Sequence, residues 1–183
     1  MKYVSITAVM LFLVLSCLPI IAAADDQQAG ETAQRSELRV GTFDSRAVAL
    51  AYYRSDAFKK QINEQKAEHA KAKQEGNETR AEELETKGQT QQELAHKQGF
   101  GTWPVDDLLE KIKDDIVKIA EEANVDVIVS KWDVVYQAPN IEFVDVTDLI
   151  VKPFKPDKDT LKTLEELKKV DPVPLEELEG HDH

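Results

Sequence analysis

A long stretch almost without large apolar side chains lies inside this chain. Between Lys59 and Gln98, only Ile62, Leu84 and Leu94 are large and apolar. Alanine, glutamate, lysine, glutamine and arginine dominate the rest, and these residues lose little side-chain freedom in a helix. The stretch therefore predicts solvated helix that cannot form a hydrophobic core. The apolar residues on either side of it predict a compact body interrupted by a helical arm.

The arm is predicted to be an antiparallel, coiled-coil-like helical hairpin over about residues 56–98. Glycine and asparagine both tolerate left-handed backbone, so Gly76 and Asn77 form the best turn within the stretch. The outgoing half, 59–75, has five lysines and three glutamates, whereas the return half, 78–98, has three basic residues and five glutamates. Their opposite net charges favour pairing, even though each exposed ion pair is weak.

The predicted body consists of residues 38–55 and 102–151, on either side of the arm. Residues 38–43 are typical of a short strand, and Asp44 can cap the helix that follows. The fold class is predicted to be α+β, with a small β-body and a projecting arm.

Two elements of the body follow the arm. Apolar residues recur at three- and four-residue spacing from Val105 to Ala123, which predicts an amphipathic helix that packs on the body and ends at Asn124. Residues 125–129 are β-branched, and 134–136 follow after a short turn, so these two segments predict a β-hairpin.

The amino-terminal residues predict export. Residues 1–24 combine Lys2, an apolar run and an Ala-x-Ala sequence, which are the features of a cleaved signal peptide. Residues 25–37 are polar and predict a flexible leader. The predicted location is the periplasm; a membrane anchor is the rival interpretation, and Cys17 would permit lipoprotein processing.

The carboxyl-terminal residues, 152–183, predict a largely disordered acidic tail. They contain four prolines and many charges, with one short helix candidate at 160–170. The terminal pair His181 and His183 is a weak candidate for a transition metal, because ordering a flexible end costs entropy.

Charge and residue usage argue against several classes of function. The formal net charge is −12, which disfavours nucleic acid as a partner. The only cysteine lies in the predicted signal peptide, and the chain has neither a Gly-x-Ser-x-Gly sequence nor a phosphate-binding glycine loop. His69 and His96 are predicted to lie far apart along the arm. We therefore predict no catalysis, no cofactor and no metal, and no stable membrane insertion after signal cleavage.

Several short sequences follow one another in a recognisable order and spacing over about residues 38–151. They are Val40-Gly41-Thr42-Phe43-Asp44, Ser55-Asp56-Ala57-Phe58-Lys59-Lys60, Ile119-Ala120-Glu121-Glu122-Ala123-Asn124-Val125-Asp126-Val127-Ile128-Val129, Asp133-Val134-Val135-Tyr136 and Asp145-Val146-Thr147-Asp148. None is specific alone, but together with the order of the elements they resemble the Skp/OmpH family of periplasmic chaperones.

The resemblance implies a homotrimer whose strands form a shared β-body, with three arms around a cavity. That cavity would hold unfolded outer-membrane or envelope proteins without ATP. This chain differs from the family in its shorter arm, its acidic charge and the segment after Val151. A non-catalytic structural or adaptor protein that docks a folded basic partner is the alternative, and an exported enzyme is the third.

Two sets of residues are candidates for these roles. The few large apolar side chains of the arm would contact the unfolded client proteins. The subunit interface would be formed by β-rich segments that are too short to form a stable sheet alone. The client-contact candidates are Ile62, Leu84 and Leu94, and the interface candidates are Val40, Phe43, Val127 and Val129.

Overall fold

A computed structural model describes residues 38–179. The predicted signal peptide and leader, Cys17, and the terminal His181 and His183 lie outside the described residues. The elements in chain order are β1 (Arg39–Phe43), α1 (Ser45–Tyr53), α2 (Asp56–Gln74), α3 (Glu78–Phe100), α4 (Asp106–Leu109), a 3-10 turn (Glu110–Ile112), α5 (Lys113–Ala123), β2 (Val127–Ser130), β3 (Glu142–Asp145), α6 (Thr147–Val151), a second 3-10 turn (Lys152–Phe154), α7 (Lys158–Leu167) and α8 (Leu175–Glu179).

The described strands form one parallel sheet with β1 in the centre. The strand order is β2-β1-β3, and Val40 lies opposite both Val127 and Phe143. Helices separate and follow the strands, so the broad prediction of an α+β fold with a small sheet is confirmed. Parallel pairing requires long connections between strands, and residues 44–126 provide the first of them.

The predicted β-hairpin is wrong. Residues 134–136 are not a strand, and β2 pairs in parallel with β1 rather than with the chain that follows it. The reason lies directly after β2: the backbone N–H of Lys131 donates to the Phe43 carbonyl at 2.8 Å, and its ammonium contacts Asp44. These bonds continue the parallel ladder past β2 and hold Lys131 at the end of β1, which favours pairing with β1 over a hairpin.

Helix α1 lies at the centre of the hydrophobic core. Seven of its nine residues are buried, and Val48, Ala49 and Ala51 have no exposed surface. Around it pack apolar side chains from the sheet, from the helices after the arm and from the carboxyl-terminal segment, including Phe43, Leu108, Ile112, Ile119, Val146, Ile150, Val151, Phe154 and Leu164.

The predicted amphipathic helix after the arm is confirmed, with an interruption. It consists of α4, a 3-10 turn and α5, and Val105, Leu108, Ile112 and Ile119 are buried on one face as expected. Asn124 ends it in a left-handed conformation with a φ of 51°.

The prediction of a largely disordered tail is wrong for residues 152–179. Helix α7 packs on α1, with Thr160 and Leu164 buried one turn apart, and Lys168 forms an ion pair with Asp148. The helix candidate at 160–170 corresponds to α7, and Leu164 and Leu167 anchor this short helix on the existing core.

Candidate functional site

Helices α2 and α3 lie side by side and contact each other through few apolar groups. The guanidinium of Arg80 bonds Glu68 at 2.6 Å, and the Gln65 amide donates to the Leu84 carbonyl at 3.2 Å. The turn between the helices is the predicted one: Gly76 has a φ of 69°, and the Asn77 side chain caps α3.

The packing between these two helices is thin. Over both, the buried residues are Ala72, Ala81, Leu84 and Gln98. A normal amphipathic helix buries a continuous apolar stripe, so α2 and α3 are held by small residues and side-chain hydrogen bonds instead. Phe58 is their one side chain that packs against the apolar core, although α3 also lies beside α1.

A groove of about 710 Å³ runs along one side of the α2–α3 pair. Its apolar wall includes Phe58 and Ile62 from α2, with Tyr53 at one end and Leu84 on α3. Glutamine amides line much of the remainder, and the lining carries one lysine and one glutamate. The amide residues are Gln65, Gln89, Gln91 and Gln92, and the charged ones are Lys66 and Glu85. We refer to this surface as the α2–α3 groove.

Two polar atoms of the groove residues are buried without a partner among the described residues. They are Nε2 of His69 and Oε1 of Gln91. A buried polar atom that lacks a hydrogen bond loses its solvation without compensation. Both atoms have almost no accessible surface, so they lower the stability of the α2–α3 packing and lie out of reach of a ligand in the groove.

A buried amide fixes the end of the groove to the body. Gln98 is 1% exposed; its oxygen accepts a hydrogen bond from the Tyr53 hydroxyl, and its nitrogen donates to the Pro104 carbonyl and to Asp107. Burial, together with the nearby Asp107 carboxylate, raises the pKa of Tyr53. The tyrosine therefore remains a neutral donor, and the base of α3 is held in position.

The three predicted client-contact residues do not form one surface. Ile62 and Leu84 both line the α2–α3 groove, although Leu84 is only 4% exposed and lies at its floor. Leu94 is absent from that lining and borders a separate shallow depression on α3. The groove itself was not predicted, because the glutamines and Gly88 that line it look like ordinary solvated helix residues in the sequence.

The four predicted interface residues differ in exposure. Phe43 is 4% exposed and packs in the core of its own chain, whereas Val127 on the edge strand β2 is 44% exposed. Val40 and Val129 are half-buried. More exposed apolar side chains follow β2: Val135 is 99% exposed and Tyr136 is 78% exposed.

A buried charge cluster lies at the carboxyl ends of the strands. The Asp44 carboxylate accepts hydrogen bonds from the backbone and guanidinium of Arg46 and from the Trp132 indole, and it contacts the Lys131 ammonium at 2.8 Å. Asp44 and Arg46 are 2% and 1% exposed. Both carboxylate oxygens are saturated with donors, so this cluster serves to join elements and has no free base for catalysis.

The histidines of the arm do not converge. Of the α2 residues that line the groove, His69 is the one nearest the turn, while His96 contacts Phe100 close to the base of α3. Between residues 38 and 179, no group of three or more histidine, cysteine or acidic side chains is placed to hold a metal ion. In the same part of the chain, no helix has the length and apolar character needed to cross a membrane.

No protein-family model, curated protein or solved structure matches the chain.

Proposed function

We propose that this protein is an ATP-independent periplasmic holdase chaperone that binds unfolded outer-membrane or envelope proteins. The observation that carries the proposal is the α2–α3 pair: two long helices that add little to the core and carry an amide-lined groove. Helices that stabilise their own fold so little suit a surface used for binding other chains. The sequence resemblance to the Skp/OmpH chaperones supports the same function.

In this proposal the α2–α3 pair is an antiparallel arm, and three copies of the chain enclose a cavity between their arms. The exposed apolar residues after β2, Val135 and Tyr136, suit contact with a second copy, as does Val127 on the sheet edge. Edge strands with exposed apolar side chains favour pairing with another chain. The homotrimer itself follows from the resemblance.

Binding would depend on adaptable contacts more than on charge. The helices of the arm carry nearly equal numbers of basic and acidic residues, and many of these already form ion pairs with each other, such as Arg80 with Glu68 and Glu83. Electrostatic capture of clients is therefore weak, and apolar contacts with hydrogen bonds would hold the unfolded chain.

The test is a light-scattering assay of a urea-unfolded β-barrel outer-membrane protein diluted into buffer. We expect the protein to suppress aggregation at near-stoichiometric trimer, with and without ATP. A folded basic protein in the same buffer serves as the comparison partner. Suppression of aggregation without binding to the folded protein supports the holdase function.

The opposite result would favour the alternative. Binding of the folded basic protein without any effect on aggregation would identify a structural or adaptor protein and would contradict the holdase function. The twelve acidic residues between Gly99 and Val151, against four basic ones, are the feature that such a partner would use.

A further inference from the structure

The α2–α3 groove contains a glycine whose presence in a helix needs an explanation. Gly88 lies in the interior of α3, where glycine destabilises the helix relative to other residues. Its φ is not positive, so the backbone conformation does not require it. A Cβ at this position would meet only the Gln65 amide at 3.6 Å, an ordinary contact, so close helix packing does not require it either.

The position of Gly88 offers that explanation. It lines the groove between the apolar wall and the glutamines. A side chain longer than alanine would extend from α3 into this space. The glycine therefore keeps the groove open at a cost in helix stability.

The hydrogen-bonding groups of the groove match a peptide backbone. Gln91 Oε1 and His69 Nε2 are shielded from solvent, so the exposed side chains of Gln89 and Gln92 are the polar groups that a ligand can reach. Each of these two amides carries a donor and an acceptor. An extended peptide presents N–H and C=O groups in alternation, so it can satisfy such a lining without a particular sequence.

Length and charge define the peptide further. The groove follows α3 from Leu84 to His96, which is about 18 Å at 1.5 Å per residue. An extended chain rises about 3.3 Å per residue, so about five or six residues fit. Lys66 and Glu85 leave the lining without net charge, and Phe58 and Ile62 offer an apolar wall.

From these observations we propose that the α2–α3 groove binds an extended, uncharged segment of about six residues in an unfolded polypeptide. Apolar side chains on one side of the segment contact the wall, and its backbone bonds the exposed amides of Gln89 and Gln92. This inference rests on the proposed holdase function for its biological role, and it places a client site within one arm in addition to any cavity between arms.

The test uses fluorescence anisotropy with the full-length protein and blocked, labelled peptides of about six residues. In one peptide, valine or phenylalanine alternates with threonine; in the second, lysine alternates with glutamate. We expect Gly88→Leu to weaken binding of the first peptide by roughly tenfold or more, because leucine fills the groove. The melting temperature of the Gly88→Leu variant should not fall below that of the wild type, because leucine is a better helix former than glycine.

Gly99→Leu is the matched control. Gly99 lies in the same helix, outside the groove lining, and a Cβ there meets nothing within 4 Å. This variant should bind the peptide as the wild type does. Gln89→Leu combined with Gln92→Leu tests the hydrogen bonds: loss of these two exposed amides should weaken peptide binding.

The outcomes are separable from those of the aggregation assay. The groove proposal would be overturned if Gly88→Leu bound the apolar peptide as tightly as the wild type does. It would also be overturned if Gly99→Leu lost as much affinity for that peptide as Gly88→Leu, or if the wild type bound the charged peptide more tightly than the apolar one. If a peptide with the sequence of residues 25–37 bound more tightly than the apolar peptide, the groove would be a binding site for the chain's own leader. That result would also overturn the groove proposal. If Gly88→Leu loses peptide binding while the wild type fails to suppress aggregation, the holdase function fails and the groove stands.

Discussion

Asp44 connects the carboxyl ends of all three described strands. It follows β1 directly, its backbone N–H donates to the Thr147 hydroxyl just after β3, and its carboxylate contacts Lys131 just after β2. Burial alone would raise the pKa of Asp44, but hydrogen bonds and charge from Arg46 and Lys131 outweigh burial and lower it below its ordinary value. The ionised carboxylate is therefore part of the folded state.

Replacement of this carboxylate should destabilise the fold in a pH-dependent way. Asp44→Asn leaves the Arg46 and Lys131 charges without their buried partner, which costs about 3–5 kcal/mol of unfolding free energy at pH 7. The pKa of Asp44 is lower in the folded than in the unfolded state, where it is about 4. The ionised carboxylate therefore stabilises the fold fully above about pH 4, and this stabilisation is lost as the pH falls through the folded-state pKa.

Urea unfolding of the wild type and Asp44→Asn from pH 7 to pH 2 measures this effect. The difference in unfolding free energy between the two proteins should be constant down to about pH 4 and narrow below it. A difference that stays constant throughout the acid range would contradict the role of the ionised Asp44.

At the scale of elements, local signals made the helices predictable. Gly76 with Asn77 marks the turn between α2 and α3, and Asn124 ends α5, because left-handed backbone favours these residue types. The amphipathic spacing from Val105 to Ala123 likewise depends on neighbours in sequence. These features lie where the sequence predicted them.

Strand pairing could not be predicted in the same way, because it depends on residues far apart in sequence. The bond from Lys131 to the end of β1 directs the chain after β2 away from a hairpin, and residues 142–145 then occupy the other side of β1. The α2–α3 groove shares this property. Its glutamines resemble a solvated face until α2 and α3 are placed side by side.

The helix α7 has a testable structural role that its composition conceals. Leu164 is 2% exposed in the core, whereas Leu161 on the same helix is 46% exposed. Leu164→Ala should lower the unfolding free energy by about 2–5 kcal/mol, because it leaves a cavity in the core. Leu161→Ala is the matched control, and its effect should stay within about 0.5 kcal/mol.

Chemical denaturation followed by circular dichroism measures both variants. Equal, small effects of the two substitutions would mean that α7 contributes nothing to the folded body. A large effect of Leu164→Ala alone would show that the domain extends through this helix.

At the scale of the whole molecule, the described part of the chain combines a core around α1 with exposed apolar residues beside the sheet. α1 is enclosed by the sheet and by helices α3, α4, α6 and α7. β2 and β3 are the edges of the three-stranded sheet, and Val135 and Tyr136 extend from the connection between them. A small sheet with open edges is the part of the molecule most suited to association.

Substitution of these exposed residues should therefore dissociate the proposed trimer without unfolding the chain. Val135→Ser combined with Tyr136→Ser removes apolar surface that has almost no contact with the chain's own core, so stability of the monomer fold should be unchanged. Val117→Ser is the control, since Val117 is 63% exposed on α5, away from the strands.

Sedimentation equilibrium at micromolar protein should give a trimer for the wild type and the control, and a folded monomer for the double variant. A folded wild-type monomer would contradict the trimer, and the α2–α3 groove would then have to bind clients as a single arm.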